Sequence, residues 1–220
     1  GENPHQQAAF YADQHNDHSP LINAKQLQGK ALSYNNLLDS NAAMELIKEF
    51  TLPTCVVIKH TNPCGVGSAT TIEEAYFKAY EADKISIFGG IVALNQEVNE
   101  TVAEHLASLF LEVILAPSFS DQALKILSKK VNVRLMRINL NNDSITSLTY
   151  TSLNGGWLVQ TRDEDAFDQK NINIVSGTLQ DQDWDDAVFA MKVCKHVKSN
   201  AIVIAKDKMT LGIGGGQSNR

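Results

Sequence analysis

The chain has 220 residues, 43% of them apolar, and a formal net charge of −6. That content supports a sizeable core in one large or two small domains, while the acidic balance and the lack of a basic run argue against a nucleic-acid partner. No apolar stretch approaches membrane-spanning length and no basic-then-apolar leader opens the chain, so a soluble, cytoplasmic protein with no membrane partner is predicted.

Residues 1 to 35 are polar, with Leu21, Ile22 and Leu27 as scattered apolar anchors, and read as an irregular arm. Helical spacing runs from Asn41 to Phe50, with Asp39 or Ser40 as N-cap, and Pro53 ends it before a strand over Cys55 to Ile58. A loop through Lys59 to Gly67 leads to a helix over Ile72 to Ala82, with Glu73 and Glu74 in its first turn, and to the apolar segment Ile85 to Leu94. Helix Val98 to Phe110, strand Val113 to Ala116, helix Asp121 to Lys130 and a strand around Val131 to Ile138 follow. Strands alternating with helices of this length predict an α/β fold with a mostly parallel sheet covered on both faces.

The polar run Asn141-Asn142-Asp143-Ser144 predicts a boundary between a first unit, 1–143, and a second, 144–220. In the second, strands are expected at Trp157 to Thr161 and Ile172 to Ser176, then a helix over Trp184 to Val197 and a strand over Ala201 to Ala205. Helix, polar break, apolar strand, Lys and Gly-x-Gly occur in both units, ending in Lys59…Gly65-Val66-Gly67 and in Lys206…Gly212-Ile213-Gly214. An internal duplication of one α/β unit accounts for this. The chain opens on Gly1 without an initiator Met and stops just after a Gly-rich run, which predicts a fragment of a longer protein.

Lys59 and His60 stand at the end of an apolar strand, before Asn62-Pro63 and two glycines. An ammonium beside an imidazole at a strand end is a catalytic layout if the chain leaves strand geometry there; otherwise the pair is a solvated strand cap. The three cysteines, Cys55, Cys64 and Cys194, read as buried reduced thiols. A zinc deaminase set would need His-x-Glu with Pro-Cys-x-x-Cys, but Gly67 stands where the second Cys belongs and no His-x-Glu occurs, so no metal site is expected. The Gly-rich runs lack the third glycine of the dinucleotide fingerprint, which weakens an oxidoreductase reading; they are either tight turns or places where backbone approaches an anion or a flat base.

Eight segments resemble the transformylase part of the bifunctional purine-biosynthesis family that joins AICAR transformylase to IMP cyclohydrolase. They are Gly1 to Ala8, Leu32 to Asp39, Lys59 to Gly67, Phe88-Gly89-Gly90-Ile91-Val92-Ala93, Leu111 to Pro117, Gly155 to Gln160, Val197 to Val203 and Gly212 to Arg220, in family order. The resemblance implies tandem zinc-free subdomains of cytidine-deaminase-like, three-layer α/β/α fold, and formyl transfer from 10-formyltetrahydrofolate to the 5-amino group of AICAR. It implies His60 as general base and Lys59 as stabiliser of developing charge, with Phe88, Gly89, Glu112, Asn200 and Arg220 contacting the nucleotide. It also implies AICAR and folate as small-molecule partners and a homodimer, and leaves room for a monovalent cation. The alternative is a fragment that binds nucleotide without turnover.

Overall fold

The computed structural model describes residues 1–12, 19–140, 148–163 and 172–219. Ten strands and five helices are assigned among them, eight of the strands in one sheet.

β1 (Lys25–Gln28) pairs antiparallel with β6 (Arg134–Arg137) at one edge of the sheet. The polar arm thus contains a strand that no alternation of apolar residues announces. It is held by backbone pairing and by Gln28, whose Nε2 donates to the carbonyls of Leu127 and Lys130 at 3.0 Å each.

α1 (Tyr34–Ile47) begins well before the expected Asn41. Ser33 is the N-cap: its Oγ accepts from Asn36 N at 3.1 Å, while Ser33 N donates to Asn36 Oδ1 at 3.0 Å. This is a capping box with Asn in the place usually taken by Glu or Gln.

β2 (Thr54–Lys59) and β3 (Asn62–Ser68) form a hairpin, so the stretch expected to be a Gly-rich loop is a strand. Only His60 and Thr61 lie between the strands, at φ 50° and 62°, the backbone of a two-residue turn of the primed kind. The register slips by one residue at Cys64, a bulge. Gly65 and Gly67 are required by the close approach of α2 (Ile72–Ala82): a Cβ on Gly65 would lie 2.1 Å from the Ala79 carbonyl oxygen, and one on Gly67 2.6 Å from that of Ala75.

β4 (Ile91–Leu94), α3 (Glu100–Ser108), β5 (Val113–Ala116) and α4 (Asp121–Leu127) precede β6. Helix α2 and strand β5 fall where the sequence puts them; α3, α4 and β6 are shorter at one or both ends. β7 (Leu148–Leu153) and β8 (Gly156–Thr161) form a separate hairpin whose apolar side chains are largely exposed, and Ile172 to Ser176, expected as a strand, is irregular and exposed. Then come α5 (Asp181–Lys195), β9 (Ile202–Lys206) and β10 (Met209–Gly214).

The sheet order is β1-β6-β5-β4-β2-β3-β10-β9. It is mixed rather than mostly parallel: only β4–β5 and β5–β6 are parallel, while the two-residue hairpins make β2–β3 and β9–β10 antiparallel and β1–β6, β2–β4 and β3–β10 are antiparallel as well. Alternate residues of the central strands feed two cores. Cys55, Val57, Val92, Leu94 and Ile114 pack with α2, α3 and α4, while Val56, Ile58, Ile91, Ala93 and Val113 pack with α1 and α5. Strands from either side of residue 144 share this sheet, with β10 beside β3.

The expected duplication is visible in the backbone. One constant shift in residue number carries the N-cap Ser33 onto the N-cap Gln180, Asp39 onto Asp186, Lys59 onto Lys206, and Gly65 and Gly67 onto Gly212 and Gly214. It also carries the turn His60-Thr61 onto Asp207-Lys208, at φ 53° and 55°, and the bulge at Cys64 onto the one at Leu211. The copies meet through the antiparallel β3–β10 pair, related by a pseudo-twofold. On it lie the equivalent residues Glu49 and His196, bonded to each other at 2.9 Å between Oε1 and Nε2, with Lys195 Nζ on the same oxygen at 3.0 Å.

Candidate functional site

One end of the sheet collects the C-terminus of β2, the N-termini of β3, β4, β5, β6 and β9, and the C-terminus of β10. The candidate residues gather there. Because β4, β5 and β6 start at this end, it is not the carboxyl edge at which parallel sheets usually bind ligands; β1, β2 and β10 finish there.

Lys59, the last residue of β2, is partly buried and donates from Nζ to the Phe88 carbonyl at 2.6 Å. One of its three ammonium donors is so used, leaving two for a ligand. Gly89 sits beneath it at φ 68°, and a Cβ there would come within 3.0 Å of Nζ. A side chain at residue 89 would therefore be strained in its backbone and would crowd the ammonium. Gly89 N donates to the Phe110 carbonyl at 2.8 Å, and the exposed rings of Phe88 and Phe110 stand 5.0 Å apart. Lys59, Phe88 and Gly89 are thus brought together as expected, and Phe110 joins them.

His60 is exposed on the turn, and its imidazole makes no hydrogen bond among the described residues. The turn itself is well tied. Thr61 N donates to Asp39 Oδ1 at 2.7 Å, while the His60 carbonyl accepts from Thr61 Oγ1 at 2.7 Å and Asn62 Nδ2 at 3.1 Å. The left-handed turn supplies the departure from strand geometry that lets adjacent residues serve one side.

Glu112 immediately precedes β5, and its N–H donates to the Gly90 carbonyl at 3.1 Å. Its Oε2 is bound by Arg134 Nη1 at 2.6 Å, and the guanidinium also donates through Nε and Nη2 to the Ala31 carbonyl at 3.2 and 3.0 Å. Arg134 is buried, so Glu112 presents a carboxylate with one oxygen fixed and one available. Sequence reasoning missed Arg134, the first residue of β6, whose burial sets it apart from the exposed Arg137 at the other end of the strand.

Asn200 reaches the same end from the second copy. Its Nδ2 donates to the Gln217 carbonyl at 3.1 Å and its carbonyl accepts from Gln217 N at 3.1 Å, so it holds the loop after β10. Asn62 Oδ1 accepts from Lys198 N at 3.2 Å, which links the connection between α5 and β9 to the His60 turn. Arg220 lies outside the described residues.

Cys64 is turned inward. Its Sγ donates to the Val57 carbonyl at 3.6 Å, and burial, reinforced by Asp83 and opposed by Lys59, pushes the thiol up to about 12. A group held protonated in this way is neither a thiolate ligand nor a nucleophile at neutral pH.

The sequence model of the AICARFT/IMPCHase bienzyme family matches residues 1–220. The chain is 52% identical over 221 aligned positions to the bifunctional purine biosynthesis protein PurH of Bacillus cereus strain AH187, of B. cereus strain ATCC 10987 and of Bacillus cytotoxicus. Each alignment covers 100% of this chain and 43% of the relative, so the chain spans less than half the length of the proteins it matches. A match to the family over every residue leads to one conclusion: the chain belongs to the AICARFT/IMPCHase bienzyme family.

Proposed function

We propose that the sheet end around Lys59 and His60 transfers a formyl group from 10-formyltetrahydrofolate to the 5-amino group of AICAR. The observation that carries this reading is the pairing of an anchored ammonium, on the Phe88 carbonyl, with an unbonded, exposed imidazole on the adjoining left-handed turn.

The aromatic amine is a weak nucleophile, since its lone pair is delocalised into the ring. His60 as neutral imidazole takes a proton from the amine while nitrogen bonds to the formyl carbon. Lys59 stabilises the oxygen of the tetrahedral species. Collapse breaks the bond from that carbon to folate N10, whose electron pair takes the proton back from the His60 imidazolium, giving formyl-AICAR, tetrahydrofolate and the neutral imidazole. Phe88 supplies a ring face for the base; Glu112 Oε1 and Asn200 offer polar contacts, and Arg220 a phosphate contact.

The same reading includes a zinc-free centre, cytidine-deaminase-like kinship of the two copies with a division near residue 143, a homodimer, and a cytoplasmic setting. The repeated helix–hairpin and the inward, protonated Cys64 support the first two. In the intact protein, His60→Ala is expected to lower formyl transfer by roughly 10²-fold or more while AICAR affinity, measured by calorimetry, changes modestly. Near-normal turnover would sink the general-base role. Binding of AICAR without any turnover by the wild type would leave the nucleotide-binding alternative.

A further inference from the structure

The turn that presents His60 places two residues bearing Cβ atoms, His60 and Thr61, in the left-handed region at φ 50° and 62°. Such turns are commonly built from Asn and Gly, which adopt this backbone at little cost. His and Thr need an outside hold. The one that reaches across from another element is Asp39, on α1, whose Oδ1 accepts from Thr61 N at 2.7 Å.

The second copy shows the same device. Asp186, the equivalent of Asp39, accepts from Asp207 N at 2.8 Å and Lys208 N at 2.7 Å, the amides of the equivalent left-handed turn. A helix carboxylate on the turn amides is therefore the way this unit fixes its hairpin, whatever residues the turn displays. The displayed residues differ. In the first copy the turn carries His60 beside the anchored Lys59; in the second, Asp207 is bonded through Oδ1 to Gln182 Nε2 at 2.6 Å, at the opposite end of the sheet.

We infer that Asp39 is a positioning residue for catalysis: it fixes the turn that aims the His60 imidazole, and does not itself touch substrate. This rests on the formyl-transfer reading given above. Its carboxylate is matched to a backbone donor, so a carboxamide oxygen at the same place can substitute for it, whereas a methyl cannot.

The test uses the intact protein. Asp39→Ala is expected to lower kcat for formyl transfer by about 10²-fold, the scale on which small misplacements of a reacting group act, with the KM for AICAR held within about twofold. Asp39→Asn should keep most of the activity. Adding Thr61→Gly to Asp39→Ala, which removes the cost of the left-handed backbone at that residue, should restore at least a third of the lost rate on a logarithmic scale. Asp186→Ala, which loosens the equivalent turn at the far end of the sheet, should leave kcat unchanged. Hydrogen exchange at the Thr61 amide reads the hold without any assay of function, and should quicken in Asp39→Ala but not in Asp39→Asn. Wild-type kcat or unaltered Thr61 exchange in Asp39→Ala overturns the inference, as does an equal loss of kcat in Asp186→Ala. If Asp39→Ala does not fold, the Asn variant and the double variant carry the same comparison. Full activity of His60→Ala would instead overturn the functional reading, while the exchange result would still stand on its own.

Discussion

The two copies of the helix–hairpin unit share a backbone and differ in what surrounds them. In the first, β2 lies inside the sheet between β4 and β3 and is buried from Thr54 to Ile58, and α2 presses on the glycines of β3. In the second, β9 is the edge strand with Ile202 and Ile204 exposed, and a Cβ on Gly212 would meet nothing within 4 Å. Equivalent glycines are thus a packing necessity in one copy and free of steric demand, among the described residues, in the other. The same holds for the turns: one presents an unbonded imidazole, the other a carboxylate already bonded to its neighbour. A repeated backbone does not carry shared chemistry with it.

The sharpest way to break this comparison is to treat equivalent lysines alike. Lys59→Met should cost formyl transfer about 10²- to 10³-fold, as removal of one stabilising donor does, while Lys206→Met should leave it intact. Steady-state kinetics of both variants checks this, and equal effects would mean that the lysines act only through net charge.

Glycine substitutions come next. Gly65→Ala forces a methyl against the Ala79 backbone and should destabilise by roughly 1–3 kcal/mol or more, whereas Gly212→Ala should change stability by no more than about 0.5 kcal/mol. Urea unfolding of the two proteins measures the contrast.

A smaller effect belongs to the contact between the copies. The His196 hydrogen bond, with Lys195 adding to it against the cost of burial, lowers the Glu49 carboxyl from 4.5 to about 2. Because the folded value is the depressed one, the stabilisation is complete above pH 4.5, where the unfolded carboxyl is also ionised, and is lost as pH falls toward 2. Glu49→Gln should remove stability on the order of 1 kcal/mol at pH 7 and flatten the acid limb of the stability profile. An unchanged acid limb would place the acid sensitivity elsewhere. Smallest of all is a rate of labelling: Cys64, kept protonated by burial, should react with iodoacetamide at pH 7.5 far more slowly than a free thiol, as followed by mass spectrometry.

The sequence made the order of elements readable wherever an apolar run was flanked by turn residues or caps, as with α2 and β5. It was silent where the stabilising partner is distant in the chain. β1 is a strand because β6 offers it an edge, and its own residues Lys25 to Gln28 carry no such pattern. The β2–β3 hairpin was hidden because its turn uses His and Thr instead of Asn and Gly, a choice that Asp39 makes tolerable from twenty-odd residues away in sequence. The two Gly-x-Gly runs looked like loops because nothing local shows that a helix will lie on the first of them. Within the site, Lys59, Phe88 and Gly89 were legible through resemblance, while Phe110 and Arg134 became visible only once β4, β5 and β6 were side by side.

The junction of β3 with β10 sets a timetable for the protein's synthesis. Val66 N donates to Thr210 Oγ1 at 3.0 Å across a separation of 144 residues, and the Asn200 loop reaches Asn62 only when that junction has closed. Lys59 can settle on the Phe88 carbonyl while the chain is still emerging, since both belong to the first copy. The Asn200 side of the pocket has to wait until β10 has left the ribosome, so a growing chain exposes the β3 edge while the residues between β3 and β10 are being made.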